Sequence, residues 1–278
     1  MRHSEGRTDL TGQVALVTGA GRGIGRAVAI ALAAAGARVA VLARDASQLR
    51  ETAALAAATG AGGRVLVTPG DMTDAPGMTR VVAEVTERLG PPSLLVNNAA
   101  TFTPDEPPLW EAELDAWWRT FEVNVRGPLV CLRAALPTML AHGGGRVVTV
   151  GSDSGVLPFP LSSYSFSKNA LVRLTESLDL RLAAAGEPVV AFAVSPGTVR
   201  TALTESFAAR HPDLAWTPAE WSGRLVVELA SGRYDVLRGR YLSVTDDLEA
   251  LLARSAEVAR RELLVQRLRR LDAEADDA

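Results

Sequence analysis

Lysine is almost missing from this chain. Of 29 basic residues in 278, 28 are arginine, and the single lysine is Lys168. Cysteine is nearly absent too: Cys131 stands alone, which excludes an intrachain disulfide and points to a reducing compartment. Histidine occurs three times, at His3, His142 and His211, without ligand spacing, so no catalytic metal is expected. Charge is nearly balanced at −3, which gives no reason to expect nucleic acid or an anionic membrane as partner. No uncharged run approaches the roughly 20 residues of a membrane span. Residues 1–12 are polar and lack the apolar stretch of a secretory signal. These absences together predict a cytoplasmic location.

What is present is an alternation of short apolar runs with helical patterns. Strands are expected at Val14–Thr18, Arg38–Ala43, Arg64–Pro69, Leu94–Asn97, Gly145–Gly151, Val189–Ser195 and Arg240–Val244. Helices are expected from the glycine-rich turn after Thr18 to about Gly36, and over Ala46–Thr59, Ala75–Leu89, 111–141, Tyr164–Ala185 and Pro218–Ser231. Continuous apolar strands between helices imply a doubly wound parallel sheet, covered on both faces, in α/β class. No linker or repeat divides it. One domain over 1–246 and a helical tail over 247–278 are the expected organisation.

The turn Thr18-Gly19-Ala20-Gly21-Arg22-Gly23-Ile24-Gly25 follows the first strand and opens a helix. Glycines there let the backbone turn tightly and let a pyrophosphate approach free N–H groups at the helix N-terminus. Tyr164-Ser165-Phe166-Ser167-Lys168 sets a phenol and the only ammonium four residues apart, on one face of a helix. An ammonium has a pKa that its surroundings can move, whereas guanidinium stays protonated.

With Asn97-Asn98-Ala99 and Pro196-Gly197 between and after them, these motifs resemble the short-chain dehydrogenase/reductase superfamily, over about residues 10–245. The glycine spacing is that of its single-domain members. The resemblance implies a Rossmann-like fold, a nicotinamide dinucleotide, and hydride transfer between it and a small-molecule carbonyl or alcohol. It assigns Tyr164 as general acid/base, with Lys168 on the nicotinamide ribose and tuning the tyrosine. It also assigns Ser152 to the substrate oxygen and Asn124 to positioning a proton-relay water. Ser154 competes with Ser152, because the spacing from Ser152 to Tyr164 is one shorter than is common in the family.

For the dinucleotide, the resemblance implies contacts from Thr18, Gly19, Gly21, Arg22, Gly23, Ile24 and Gly25. Asp71 and Met72 would meet the adenine. Asn98 and Ala99 belong to the loop beneath the nucleotide, which Asn97 begins. Pro196, Gly197, Val199 and Thr201 would lie at the nicotinamide, with Thr201 on its carboxamide. The end of the second strand holds Ala43 and Arg44 where a carboxylate would bind a ribose diol. Arg22 and Arg44 therefore favour NADP(H) over NAD(H), although Asp45 stands one residue further on. An NAD(H)-dependent alcohol dehydrogenase, and a non-catalytic dinucleotide-binding regulator, are the alternatives.

Substrate choice is expected in Thr101–Trp118, Val156–Ser163 and Ala202–Trp216. Phe102, Trp110, Phe159, Phe207 and Trp216 in them suit an apolar or ring-containing carbonyl. The helices over 111–141 and 164–185 match the family's usual subunit contact, so a homodimer or homotetramer is expected. Unlike simple members, this chain continues into a leucine- and arginine-rich tail, with Leu248, Leu251, Leu252, Leu263, Leu264, Leu268 and Leu271. That tail is expected to be an amphipathic helix packed on its own subunit, or an arm that crosses to another subunit or closes its active site.

Overall fold

The computed structural model describes residues 8–61, 65–103, 106–160, 162–210 and 213–268. His3, Arg64, His211, Arg269, Arg270, Leu271 and the Phe207 side chain lie outside the described residues. Seven strands form one sheet: β1 (Val14–Thr18), β2 (Arg38–Ala43), β3 (Val65–Pro69), β4 (Leu94–Asn97), β5 (Gly145–Val150), β6 (Val189–Ser195) and β7 (Tyr241–Ser243). Their order is β3-β2-β1-β4-β5-β6-β7, and every pairing is parallel. The order reverses between β1 and β4, and in such sheets ligands bind beyond the carboxyl ends at that reversal.

Alternate strand residues face opposite layers, as the pleat requires. Ala15, Val17, Val39, Val41 and Val96 join one buried cluster with Val28 and Leu32 of α1 (Gly23–Ala34) and Val226 and Leu229 of α8 (Ala219–Ala230). Val14, Leu16, Ala40, Leu42 and Leu95 join the other. There they meet Met78 and Val85 of α3 (Ala75–Leu89) and Cys131 and Met139 of α5 (Gly127–Ala141). Both faces are closed, so whole strands read as apolar runs.

Three expected helices differ. The second is α-helical only over α2 (Ala46–Ala56); a π-turn, Ala57–Ala61, continues it to Gly60, whose φ of 88° ends the run. The long helix expected over 111–141 begins at Leu114 as α4 (Leu114–Phe121), loosens into a π-turn at Glu122–Arg126, and resumes as α5. The tail is two short helices, α9 (Leu248–Ala253) and α10 (Ser255–Arg260), followed by non-helical chain to residue 268. Helix cannot continue there because Glu262 and Leu264 hold φ of 48° and 60°. The helix after β5, α6 (Ser163–Ala184), starts one residue before Tyr164, and a short helix, α7 (Glu205–Arg210), lies unanticipated in the 202–216 segment. Among the described residues, no helix is long and apolar enough to cross a membrane.

Candidate active site

The glycine turn between β1 and α1 is shaped by contacts a side chain would destroy. A Cβ on Gly19 would stand 2.8 Å from the Ala99 Cα, and one on Gly21 would stand 2.9 Å from the Gln48 Cβ. On Gly25 it would collide with the Gly19 carbonyl and the Asn98 amide. Gly23, with φ of 55°, comes within 3.1 Å of the Thr201 methyl by the same measure, so the turn and the segment after β6 meet there. Arg22 occupies the N-cap of α1 without capping it through its side chain, and is exposed.

The loop after β4 is tied to the same turn. Thr18 Oγ1 accepts the Asn98 and Ala99 backbone N–H groups at 3.0 and 3.1 Å, and Asn98 Nδ2 donates to the Thr18 carbonyl at 2.8 Å. Asn97, at the carboxyl end of β4, is buried with neither amide atom bonded to protein. A buried donor and acceptor left open at this position call for a polar ligand or water. The stripped turn, the open amide and the exposed α1 N-terminus together fit a dinucleotide pyrophosphate.

At the end of β2, Ala43 offers no carboxylate, and Asp45 is already engaged. Its Oδ1 accepts from the Ser47 hydroxyl at 2.5 Å, Ser47 N at 2.8 Å and Gln48 N at 3.3 Å, capping α2, and these bonds, the hydroxyl's first, hold its pKa low. Arg44 is exposed. Asp71 sits close enough for the Arg44 charge to reinforce what Thr73 does more strongly: the Thr73 N–H and hydroxyl bind Asp71 Oδ1 and lower its pKa. Met72 is buried against Gly127, where α5 begins.

The catalytic candidates converge beyond β5. Tyr164 and Lys168 lie on the first turns of α6, and Ser152 stands two residues past the end of β5. Burial pushes the Tyr164 phenol up to about 12, and a hydrogen bond from the Ser152 side chain pulls the other way. Ser154 Oγ is 2.9 Å from Ser152 Oγ, so the competing serine is the partner of the first. Lys168 is 2% exposed; its Nζ donates to the Val150 carbonyl at 2.8 Å and lies 5.6 Å from the Tyr164 ring centroid. Burial pulls that ammonium down to about 8.

Asn124 occupies the π-turn between α4 and α5 and is fully buried. Its Oδ1 accepts Thr101 N at 2.7 Å, and its Nδ2 donates to Thr101 O at 2.9 Å and Ser167 Oγ at 3.0 Å. The extra residue of a π-turn re-aims one side chain, which is why such turns recur at functional sites. Here it ties the β4–α4 loop to the helix of Tyr164. Phe102 of that loop meets the Tyr164 ring edge-on at 5.3 Å.

After β6, Gly197 adopts φ of 69° beneath Thr217, and Val199 pairs with Thr217 in a one-residue bridge. Pro196 precedes that turn, and the Thr201 backbone N–H donates to Thr204 Oγ1 at 2.9 Å. Trp216 lies under the Arg200 guanidinium at 5.2 Å, whereas Trp110 and Phe159 are exposed. Sequence reasoning missed Glu106, which binds Ser163 directly before Tyr164, and the pair Tyr241–Asp153 beside Ser152. None of the three carries a periodic or spacing signal.

Comparison with known proteins agrees with the fold. The family model for short chain dehydrogenase matches residues 13–212. A short chain dehydrogenase of the fungus Pseudocercospora fijiensis is 35% identical over 268 residues, covering 87% of this chain and 83% of its own. Among solved structures, a 3-oxoacyl-[acyl-carrier protein] reductase of Brucella melitensis, in complex with NAD, aligns with a TM-score of 0.74 at 31% identity. That alignment covers 84% of this chain and 95% of the reductase. An NAD(P) dependent dehydrogenase of Beutenbergia cavernae, with bound NADP, aligns with a TM-score of 0.75 at 34% identity, covering 86% and 97%. The chain belongs to the short-chain dehydrogenase/reductase family. It is an NAD(P)-dependent oxidoreductase of that family, acting on small molecules.

Proposed function

We propose that the protein is an NADP(H)-dependent carbonyl reductase or alcohol dehydrogenase in which Tyr164 exchanges a proton with the substrate oxygen. The observation that carries this is the meeting of Ser152, Tyr164 and the one lysine at the carboxyl end of β5. A bound nicotinamide would supply or accept the hydride. The chain's own residues handle the proton. Ser152, bonded to the phenol, is placed to hold the same oxygen and to stabilise the alkoxide as it forms. Lys168⁺ beside the ring favours phenolate, against burial, which favours phenol. Asn124 fixes the floor through Thr101 and Ser167. Tyr164→Phe tests the assignment: turnover should be lost with NADPH binding nearly unchanged, and surviving turnover would overturn it.

The preference for NADP(H) rests on two exposed arginines, Arg44 at the end of β2 and Arg22 next to Gly21, whose added Cβ would stand 3.7 Å from the Ala43 Cβ, and on the diversion of Asp45 to its cap. Two guanidiniums can hold a 2′-phosphate by charge-assisted bonds worth about 1.5–3 kcal/mol each. Parallel fluorescence titrations with NADPH and NADH should favour NADPH, and Arg44→Ala should weaken NADPH by about tenfold while leaving NADH unchanged. Equal NADH affinity in the unaltered protein would overturn the preference.

For assembly we propose a homodimer through α4, α5 and α6. Leu114 and Trp118 on α4, Leu129 on α5, and Phe166 and Leu180 on α6 are large apolar side chains left exposed. Light scattering of Trp118→Glu against the unaltered protein tests this, with loss of the dimer expected. The proposed location is the cytoplasm, on the strength of one buried cysteine. The tail belongs with the same subunit: Leu248, Leu251, Leu252, Leu263 and Leu264 pack against the α1/α8 side of the core.

A further inference from the structure

The loop between β4 and α4 carries a carboxylate that the chemistry above does not use. Glu106 Oε1 accepts the Ser163 backbone N–H at 2.8 Å, and Glu106 Oε2 accepts the Ser163 hydroxyl. Ser163 is the first residue of α6 and immediately precedes Tyr164. Its hydroxyl also lies 3.1 Å from Thr120 Oγ1, near the end of α4, and Ser163 and Thr120 are both fully buried.

A carboxylate on the first N–H of a helix satisfies an otherwise open donor and meets the positive end of the dipole. The Ser162 and Ser165 N–H groups are met locally, and the Ser163 N–H is met by Glu106. Ser162 caps α6, accepting from Ser165 N at 3.0 Å while Ser165 Oγ accepts Ser162 N at 3.1 Å. What Glu106 adds is a connection across the chain.

The connection is the third of its kind. Thr101 is gripped by Asn124, which reaches Ser167; Phe102 meets the Tyr164 ring; Glu106 binds Ser163. One loop thus touches residues 163 and 164 directly and 167 through Asn124, on the opening turn of the helix that presents the phenol. Pro107 and Pro108 follow Glu106, and their fixed φ limits how the backbone beside the carboxylate can move. We propose that Glu106 is a positioning residue: it latches the β4–α4 loop to the residue before Tyr164, so that loop placement and phenol alignment are one event. This rests on Tyr164 as the proton carrier.

The test compares Glu106→Ala and Glu106→Gln with the unaltered protein. It reads steady-state ketone reduction with NADPH, NADPH affinity, melting temperature, and amide hydrogen exchange over 101–113. A misplacement on the ångström scale near the chemistry costs up to about a hundredfold. Glu106→Ala should therefore lower kcat by about tenfold or more, with NADPH affinity within about twofold and exchange of the loop accelerated. Glu106→Gln keeps an acceptor for the Ser163 N–H and should recover most of kcat and of the protection. A lower melting temperature with kcat unchanged would reduce Glu106 to a helix cap and overturn the proposal. Unchanged exchange in Glu106→Ala would overturn the latch by itself, even were the unaltered protein to reduce no ketone. The failure of the latch and the failure of the enzymatic reading are thus read separately.

Discussion

The Tyr241 hydroxyl donates to Asp153 Oδ1 at 2.9 Å, while the same ring packs against Gly151, where an added Cβ would stand 2.9 Å from its Cε2. One residue therefore grips both neighbours of Ser152. Tyr241 begins β7, and its backbone N–H donates to the Leu264 carbonyl at 2.9 Å, so the tail reaches Ser152 through it. Burial raises the Tyr241 pKa, and the nearby Asp153 charge adds to that, so the hydroxyl stays protonated and keeps donating. Tyr241→Phe keeps the ring and loses the bond. Stability should fall by about 1 kcal/mol, and kcat should fall several-fold with NADPH affinity unchanged, as steady-state kinetics and urea denaturation would show.

Gly25 and Gly12 make a matched comparison. At Gly25 a methyl would run into the Gly19 carbonyl and the Asn98 amide, neither of which is free to move. At Gly12 it would meet nothing within 4 Å, although φ is 92°. Gly25→Ala should cost about 1–3 kcal/mol by overpacking and weaken NADPH binding at least tenfold. Gly12→Ala should show only the backbone cost, about 1–2 kcal/mol, with NADPH binding intact. Paired melting curves and titrations check both.

Lys168 should leave a signature in the pH dependence of stability when no nucleotide is bound. Burial lowers its pKa to about 8 from 10.5. Between those values the unfolded chain holds a proton that the folded protein has released, so stability rises with pH. The full gain is on the order of 3 kcal/mol, present above the unfolded value and lost as pH falls toward the folded one. Cys131 and Tyr164, both pushed up to about 12, act oppositely above their ordinary values of 9.0 and 10.0. The difference between Lys168→Met and the unaltered protein isolates the lysine. The variant should lack the rise between pH 8 and 9 and be the more stable of the two at pH 7, by urea denaturation.

Much of this architecture was legible in the residues, for physical reasons. β1, β2, β4 and β6 are buried on both faces, so each appears as an unbroken apolar run with the bounds the structure gives. Tyr164 and Lys168 share a helix face, and four-residue spacing is visible in a string. The π-turn at Asn124 was not legible. An extra residue in a helix leaves the surrounding apolar pattern nearly intact, and the partner of its Asn124, Thr101, lies 23 residues away. Glu106 had no signal at all, since its partner lies 57 residues away across the fold. The six-residue α7 was too short for a periodicity. In the tail, leucine spacing suggested one helix, but Leu263 and Leu264 reach the core through left-handed turns instead.

That route through the tail must be held by something, because left-handed backbone at a glutamate and a leucine costs about 1–3 kcal/mol each. Two anchors are in place. Leu263 and Leu264 pack on the core, and Arg267 binds Glu176, a carboxylate on α6 that is 4% exposed, at 2.7 Å. Glu176 also receives Arg173 at 2.8 Å, and Arg267 also reaches Glu262 at 2.8 Å. Removing one partner of a buried pair costs about 3–5 kcal/mol when the other charge is stranded. Here Arg173 remains to neutralise Glu176, so Arg267→Ala should cost less, about 1–2 kcal/mol. The residues freed should be 262–267, where amide exchange should accelerate while that of α6 does not. Glu176→Gln removes the charge that both arginines share and should cost at least as much. In a double-mutant cycle the two changes should be non-additive, because they break the same contact. Additive losses would mean that Arg267 stabilises the tail through Glu262 alone, and that the catalytic helix does not hold it.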